Sequence, residues 1–146
     1  MKATEGTIGR VFVIRLEDGD KVPDCLEEYA VDKGIKAAVV TIIGGIGEGS
    51  IITGPRHSEE MPPDPIITPV DEVHEVVGAG VIALDDKGQP KLHLHGSLGR
   101  NGQTYAGCLR PGVKTWLVGE VIICEILGVK SRRVFDQKSG FSLLEP

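Results

Sequence analysis

The amino-acid sequence specifies a compact α+β domain, rich in strand, with one main helix. Three observations carry that expectation. Glycine is abundant, at 20 of 146 residues, aromatics are only 4%, and Val and Ile recur in runs, which is the composition of strands joined by tight turns. One segment alone, residues 22–33, has strong helical spacing. An Asn-Gly pair at 101–102 sits between alternating apolar stretches, the strongest short-range hairpin signal.

The elements follow in order. Residues Thr7 to Leu16 are β-branched and apolar and read as a first strand, broken at Gly19 and Asp20. Asp20 is placed to cap a helix from Val22 to Lys33, with Pro23 in its first turn, where a missing N–H costs little. Val22, Leu26, Tyr29 and Ala30 form its apolar stripe, and Gly34 suits the left-handed position after it. A buried strand runs from Ile35 to Ile43. Gly44, Gly45, Gly47 and Gly49 then mark a bend or bulge before Ser50–Thr53. Gly54–Pro69, rich in Pro and charge, reads as a long surface loop. Strands resume at Val73–Leu84, Lys91–Leu98, Thr104–Leu109 and Val113–Leu127. The segment 129–146 carries few signals and is expected as an arm or tail.

Composition narrows the function classes. A chain of 15.6 kDa is one domain by length. No apolar run approaches the ~20 residues of a membrane span. The formal net charge of −5 argues against non-specific nucleic-acid binding, which depends on neutralising phosphates. Cys25, Cys108 and Cys124, odd in number and widely spaced, with no secretion signal at the N-terminus, read as reduced thiols of a cytoplasmic protein.

The informative segment is Lys91-Leu92-His93-Leu94-His95-Gly96-Ser97-Leu98. Strict alternation sends the leucines to one face and His93 and His95 to the other. A two-residue turn at Asn101-Gly102 pairs Arg100 with Gln103. Counting outward from there, His95 meets Cys108 and His93 lies diagonal to it. Two imidazoles and a thiolate suit zinc, with a fourth position left for water, a substrate, or a further ligand from His57 or His74. Gly96, Ser97, Ala106 and Gly107 leave room around the cluster. A solvated His-x-His strand without metal is the plainer reading of the two histidines alone; Cys108 in register is what raises the metal reading beside it.

Five other features carry possible chemistry. Glu120 interrupts the apolar run VGEVIICEI on a face expected to be buried; it is the candidate general acid/base, against a plain salt bridge to Arg15 or Lys114. Glu125 is a weaker candidate of that kind. Arg110 falls opposite His93 and is positioned for an anionic ligand. Cys25 and Cys124 read as small buried hydrophobes, and GGIGEG lacks the Gly-Lys-Ser/Thr ending of a phosphate loop.

At these residues the sequence resembles the plants-and-prokaryotes-conserved (PPC) domain family over about Gly6 to Gly128. The strand ending Arg15-Leu16, the helix opening EDGDKVPDCLEEYAVDKGI, and then VVTIIGGIG, HEVVGAGVIAL, KLHLHGSLG, TYAGCL and VGEVIICEIL follow in the family's order. The resemblance implies a domain at 1–128 built on a mixed, mostly antiparallel, two-layer sheet, and assembly as a homotrimer. It also implies a metal site, usually zinc, formed by His-x-His and a histidine after Gly-Gly. Those positions fall on His93, His95 and Cys108, the last within Ala-Gly-Cys, so a different but metal-competent ligand replaces the third histidine. The plant members carry AT-hooks; no Arg-Gly-Arg-Pro element occurs here, so nucleic acid is not an expected partner. The fold is similar to that of acetolactate decarboxylase, a zinc enzyme. The expected function is therefore a zinc-binding trimer, with small-molecule binding or zinc-dependent catalysis at the metal. The alternative is a protein-interaction or DNA-associated regulatory module with a structural metal.

Overall fold

A computed structural model describes residues 1–146. In chain order the elements are β1 (Thr7–Glu17), β2 (Lys21–Val22), α1 (Asp24–Lys33), β3 (Ala37–Pro55), β4 (Pro65–Val70), β5 (His74–Leu84), β6 (Pro90–Arg100), β7 (Gln103–Leu109), β8 (Val113–Leu127), β9 (Arg132–Asp136) and β10 (Phe141–Glu145). All ten strands belong to one hydrogen-bonded sheet. Every pairing is antiparallel except a single parallel contact, Leu84 of β5 with Arg132 of β9.

The sheet curls on itself because β3 is long and bent. Its first part, Ala37–Ile46, pairs with β5, and β5 pairs with β6. β6 pairs with β7, and β7 returns to β3 at Ile51 and Ile52. These four strands thus close a circuit. On its outside edge β8 pairs with β3, and β1 with β8. Opposite walls of one curled sheet, rather than two separate sheets, enclose the core. Alternation on each strand supplies that core: Val40, Ile42, Ile46 and Ile51 from β3, Leu94 and Leu98 from β6, and Val121 and Ile123 from β8 are all at most 1% exposed. Leu26 and Ala30 of α1 pack against it.

Several expectations are corrected here. Asp20 does not cap the helix. Pro23 occupies the N-cap position, and the Asp20 carboxylate accepts from the Glu17 N–H at 2.9 Å, closing the preceding turn. Val22, although fully buried, belongs to β2 rather than to the helix. The glycines at 44–49 do not end a strand; β3 runs through them, slipping register against β8 at Gly44/Gly45 and again at Ile46/Glu48. The expected loop 54–69 ends early, because Pro65–Val70 pairs with β3. The segment 129–146 forms the β9–β10 hairpin, closed by Asp136, whose Oδ2 accepts from the N–H and hydroxyl of Ser139 at 2.8 and 2.6 Å.

Candidate metal centre

The hairpin forms as its turn chemistry requires. Asn101 and Gly102 take φ values of 51° and 74°, the left-handed pair that joins two-residue hairpins. From that turn the register runs Arg100–Gln103, Gly99–Thr104, Leu98–Tyr105, Ser97–Ala106, Gly96–Gly107 and His95–Cys108. Gly107 is required by close approach: a Cβ there would press into the carbonyl of Ile52. That contact lets β7 sit against β3 and sets the depth at which Cys108 is held.

β7 ends at Leu109, so β6 continues past its partner toward His93. The helix takes over there. Glu27 of α1 accepts from the Leu92 N–H at 2.9 Å and from the Lys91 ammonium at 2.6 Å. The residue before His93 is thereby anchored, and Leu92 and Leu94 are pinned inward, which turns both imidazoles outward.

The Nε2 atoms of His93 and His95 lie 3.0 Å apart, with the rings edge to face at 80°. Together with Cys108 Sγ, the three donor atoms all fall within 4.8 Å of one another. Two nitrogens each 2.0–2.1 Å from a tetrahedral ion would be roughly 3.3 Å apart, and nitrogen and thiolate sulfur roughly 3.6 Å. The imidazoles already have the separation a shared ion needs. The sulfur needs a shift on the order of 1 Å, and its one contact, the Leu109 carbonyl at 3.8 Å, is weak. The donor set therefore fits a borderline-soft divalent ion such as zinc.

Electrostatics favour the ligating form of His93. Burial first, then the charges of His95, Arg133 and Arg110, hold its pKa below the usual histidine value, which keeps the imidazole neutral. Beside His95 lies a shallow, open depression of about 500 Å3, walled by Ile43, Val77, Ala79, Ser97 and Ala106.

The other sequence candidates lie elsewhere. His74 is buried, donates from Nδ1 to the Glu72 carbonyl at 2.6 Å and accepts from the Tyr105 hydroxyl at 3.0 Å, so both ring nitrogens are engaged. His57 lies in the exposed stretch between β3 and β4. Glu120 stands on a solvent-exposed face, not a buried one. In register it follows the row Arg15–Glu120–Ile43–Val77–Ser97, three strands from β6. Neither expected salt bridge forms, since Arg15 pairs with Glu17 and Lys114 with Glu48. The buried acid of β8 is Glu125, held by Arg10 through two bonds of 2.7 Å. Cys25 packs beside the core with its thiol pushed up to about 11, chiefly by burial, which keeps it protonated and inert. One residue near the cluster was not foreseen: Arg133, from the C-terminal hairpin, is 9% exposed and donates to the Val81 carbonyl at 2.9 Å.

A curled sheet with a single helix and a two-histidine, one-cysteine cluster on its outer wall defines a small metal-competent domain class. The chain belongs to the Plants and Prokaryotes Conserved (PCC) domain family, whose model matches residues 3–127. It is similar to a metal-containing protein from Archaeoglobus fulgidus, at 27% identity over 100% of both chains, with a TM-score of 0.86. It is also similar to a plant- and prokaryote-conserved (PPC) protein from Pyrococcus horikoshii, at 26% identity over 100% of this chain and 98% of that one, with a TM-score of 0.85. Among curated proteins, none matches this chain. No helix is long and apolar enough to cross a membrane.

Proposed function

We propose that this protein binds one divalent metal ion, with zinc the best chemical match, through His93, His95 and Cys108, and that it works as a homotrimer. The observation that carries the metal reading is the convergence of three donor atoms within 4.8 Å at a register set by a two-residue turn. The metal-containing Archaeoglobus relative supports it. Three protein ligands with a fourth position open is the arrangement of a reactive rather than a closed site. A zinc ion so held supplies Lewis acidity and a bound water of lowered pKa. The chain's own contribution is orientation. Glu27 anchors β6, Gly107 seats β7, and the depression beside His95 leaves space for a small molecule.

The trimer reading rests on an exposed apolar face. Val13, Ile43, Val77 and Trp116 are 81, 50, 67 and 45% exposed, and the rows Val13–Ile122–Thr41–Ala79 and Ile43–Val77 make the patch continuous across four strands. A patch of that kind marks an interaction surface. It equally suits the second reading, an interaction module in which the metal only clamps β6 to β7.

Elemental analysis of purified protein tests the metal. About one ion per chain is expected, falling by more than half in His95→Ala or Cys108→Ser. Below about a third of an ion per chain, with Cys108 freely alkylated, the metal reading is wrong. Light scattering tests the assembly, with three times 15.6 kDa expected and a monomer mass the contrary result. Chelation separates the two readings. Loss of the trimer on metal removal indicates the structural role, and an intact metal-free trimer indicates the reactive one.

A further inference from the structure

Two arginines, Arg133 and Arg110, lie close enough to His93 for their charges to bear on it, and neither is ion-paired. Arg133 is nine-tenths buried, yet its guanidinium bonds only carbonyls, those of Val81 at 2.9 Å and Lys91 at 3.5 Å. Val81 is the residue opposite His93 in the β5–β6 register, and Lys91 precedes His93 by two, so the guanidinium is held by the backbone that flanks His93. None of the eight ion pairs of the chain includes Arg133 or Arg110. The nearest acid, Glu27, is already engaged by Lys91 and the Leu92 N–H. Arg110 follows β7 directly and is exposed, its backbone N–H bonded to the Ser50 carbonyl at 3.2 Å.

A buried guanidinium without a carboxylate is costly, and it persists where a ligand or a nearby anion completes it. In a chain of net charge −5, these two cations both act on His93, a donor of the metal site. Burial also presses the Arg133 pKa down, against the opposing pull of Glu27 first and Cys108 second. We propose that Arg133 and Arg110 form an oxyanion subsite beside His93, His95 and Cys108, and that the site takes a small carboxylate, one oxygen directed to the metal position and the carboxylate edge to the arginine fork. The planar guanidinium matches a carboxylate with two parallel N–H donors, which an ammonium does not. This assignment rests on the metal reading for its tightest binding, but the arginines can be tested without it.

The probe is oxalate, followed by titration calorimetry on the full-length protein, in metal-loaded and chelator-treated forms, with metal content measured on each sample. Metal-loaded wild type is expected to bind oxalate, and Arg110→Gln and Arg133→Lys to weaken it about tenfold or more while retaining their metal. Arg110 is exposed, so its variant reports even if the buried position proves essential for folding. If wild type takes up no metal, the metal reading has failed by itself; the subsite then stands only if chelator-treated protein still binds oxalate in a manner that Arg110→Gln weakens. No binding to either form, or affinities in both variants within twofold of wild type, overturns the proposal.

Discussion

At the scale of single residues, the one buried acid of the chain is engaged. Glu125 is buried on β8 and forked to Arg10. That hydrogen bonding, against the opposing effect of burial, holds its carboxyl below the usual glutamate range. A carboxyl more acidic in the fold than in the unfolded chain stabilises the fold above its unfolded pKa of about 4.3, and the contribution is lost as pH falls through the folded value. Glu125→Gln should therefore lower the melting temperature by a few degrees at pH 7. The gap to wild type should close as melts are taken from pH 5 toward pH 3. Parallel curves over that range would show that the pair does not stabilise the fold. Glu120, the other acid of β8 that the sequence offers, is exposed and sits three strands from His95 along the β8–β3–β5–β6 path.

At the scale of elements, the β6–β7 hairpin is the unit that makes a site. Its turn sets the register, its leucines anchor it inward, and its histidines and cysteine are what remain outside. Gly107 joins this unit to β3, because any side chain there meets the Ile52 backbone, which cannot give way as a flexible side-chain tip would. Gly107→Ala should push β7 from β3 and carry Cys108 away from the imidazoles. We expect metal affinity to fall about tenfold or more, with the circular dichroism of the sheet largely kept. Metal uptake equal to wild type, measured by competition with a chromophoric chelator, would show that β7 can shift without disturbing the cluster. The register of this unit was legible because it is local: alternation and an Asn-Gly turn are read within 20 residues. The β9–β10 hairpin was missed although Ser139-Gly140 is a turn signal, because its strands are short and their attachment to the sheet is one parallel contact.

At the scale of the whole molecule, the outer wall exposes a continuous apolar face. Val77 and Val13 project into solvent from strands whose inner residues fill the core. Their exposure follows from pleating: once Val76 is committed inward, and Phe12 and Ile14 pack against the core, their neighbours must face out. Burial of this face against other copies would stabilise the assembly by roughly 25 cal/mol per Å2 of apolar surface removed from water, before the cost of association. If the proposed trimer forms through this face, Val77→Glu should convert it to monomers at micromolar concentration, seen as a threefold drop in mass by light scattering, with the fold intact. Retention of the trimer mass would place the interface on another surface.

The sequence by itself determined the sheet-rich class, the single helix with its glycine end, and the pairing of His95 with Cys108, since each depends on composition or on near neighbours along the chain. Only the tertiary structure decided which face of β8 is wet, that β3 passes unbroken through its glycines, and that Arg133 bonds the carbonyls of Lys91 and Val81, 42 and 52 residues earlier. Those features arise when distant strands meet and the sheet curls shut. Long-range closure of that kind leaves no periodic trace in the segments it joins.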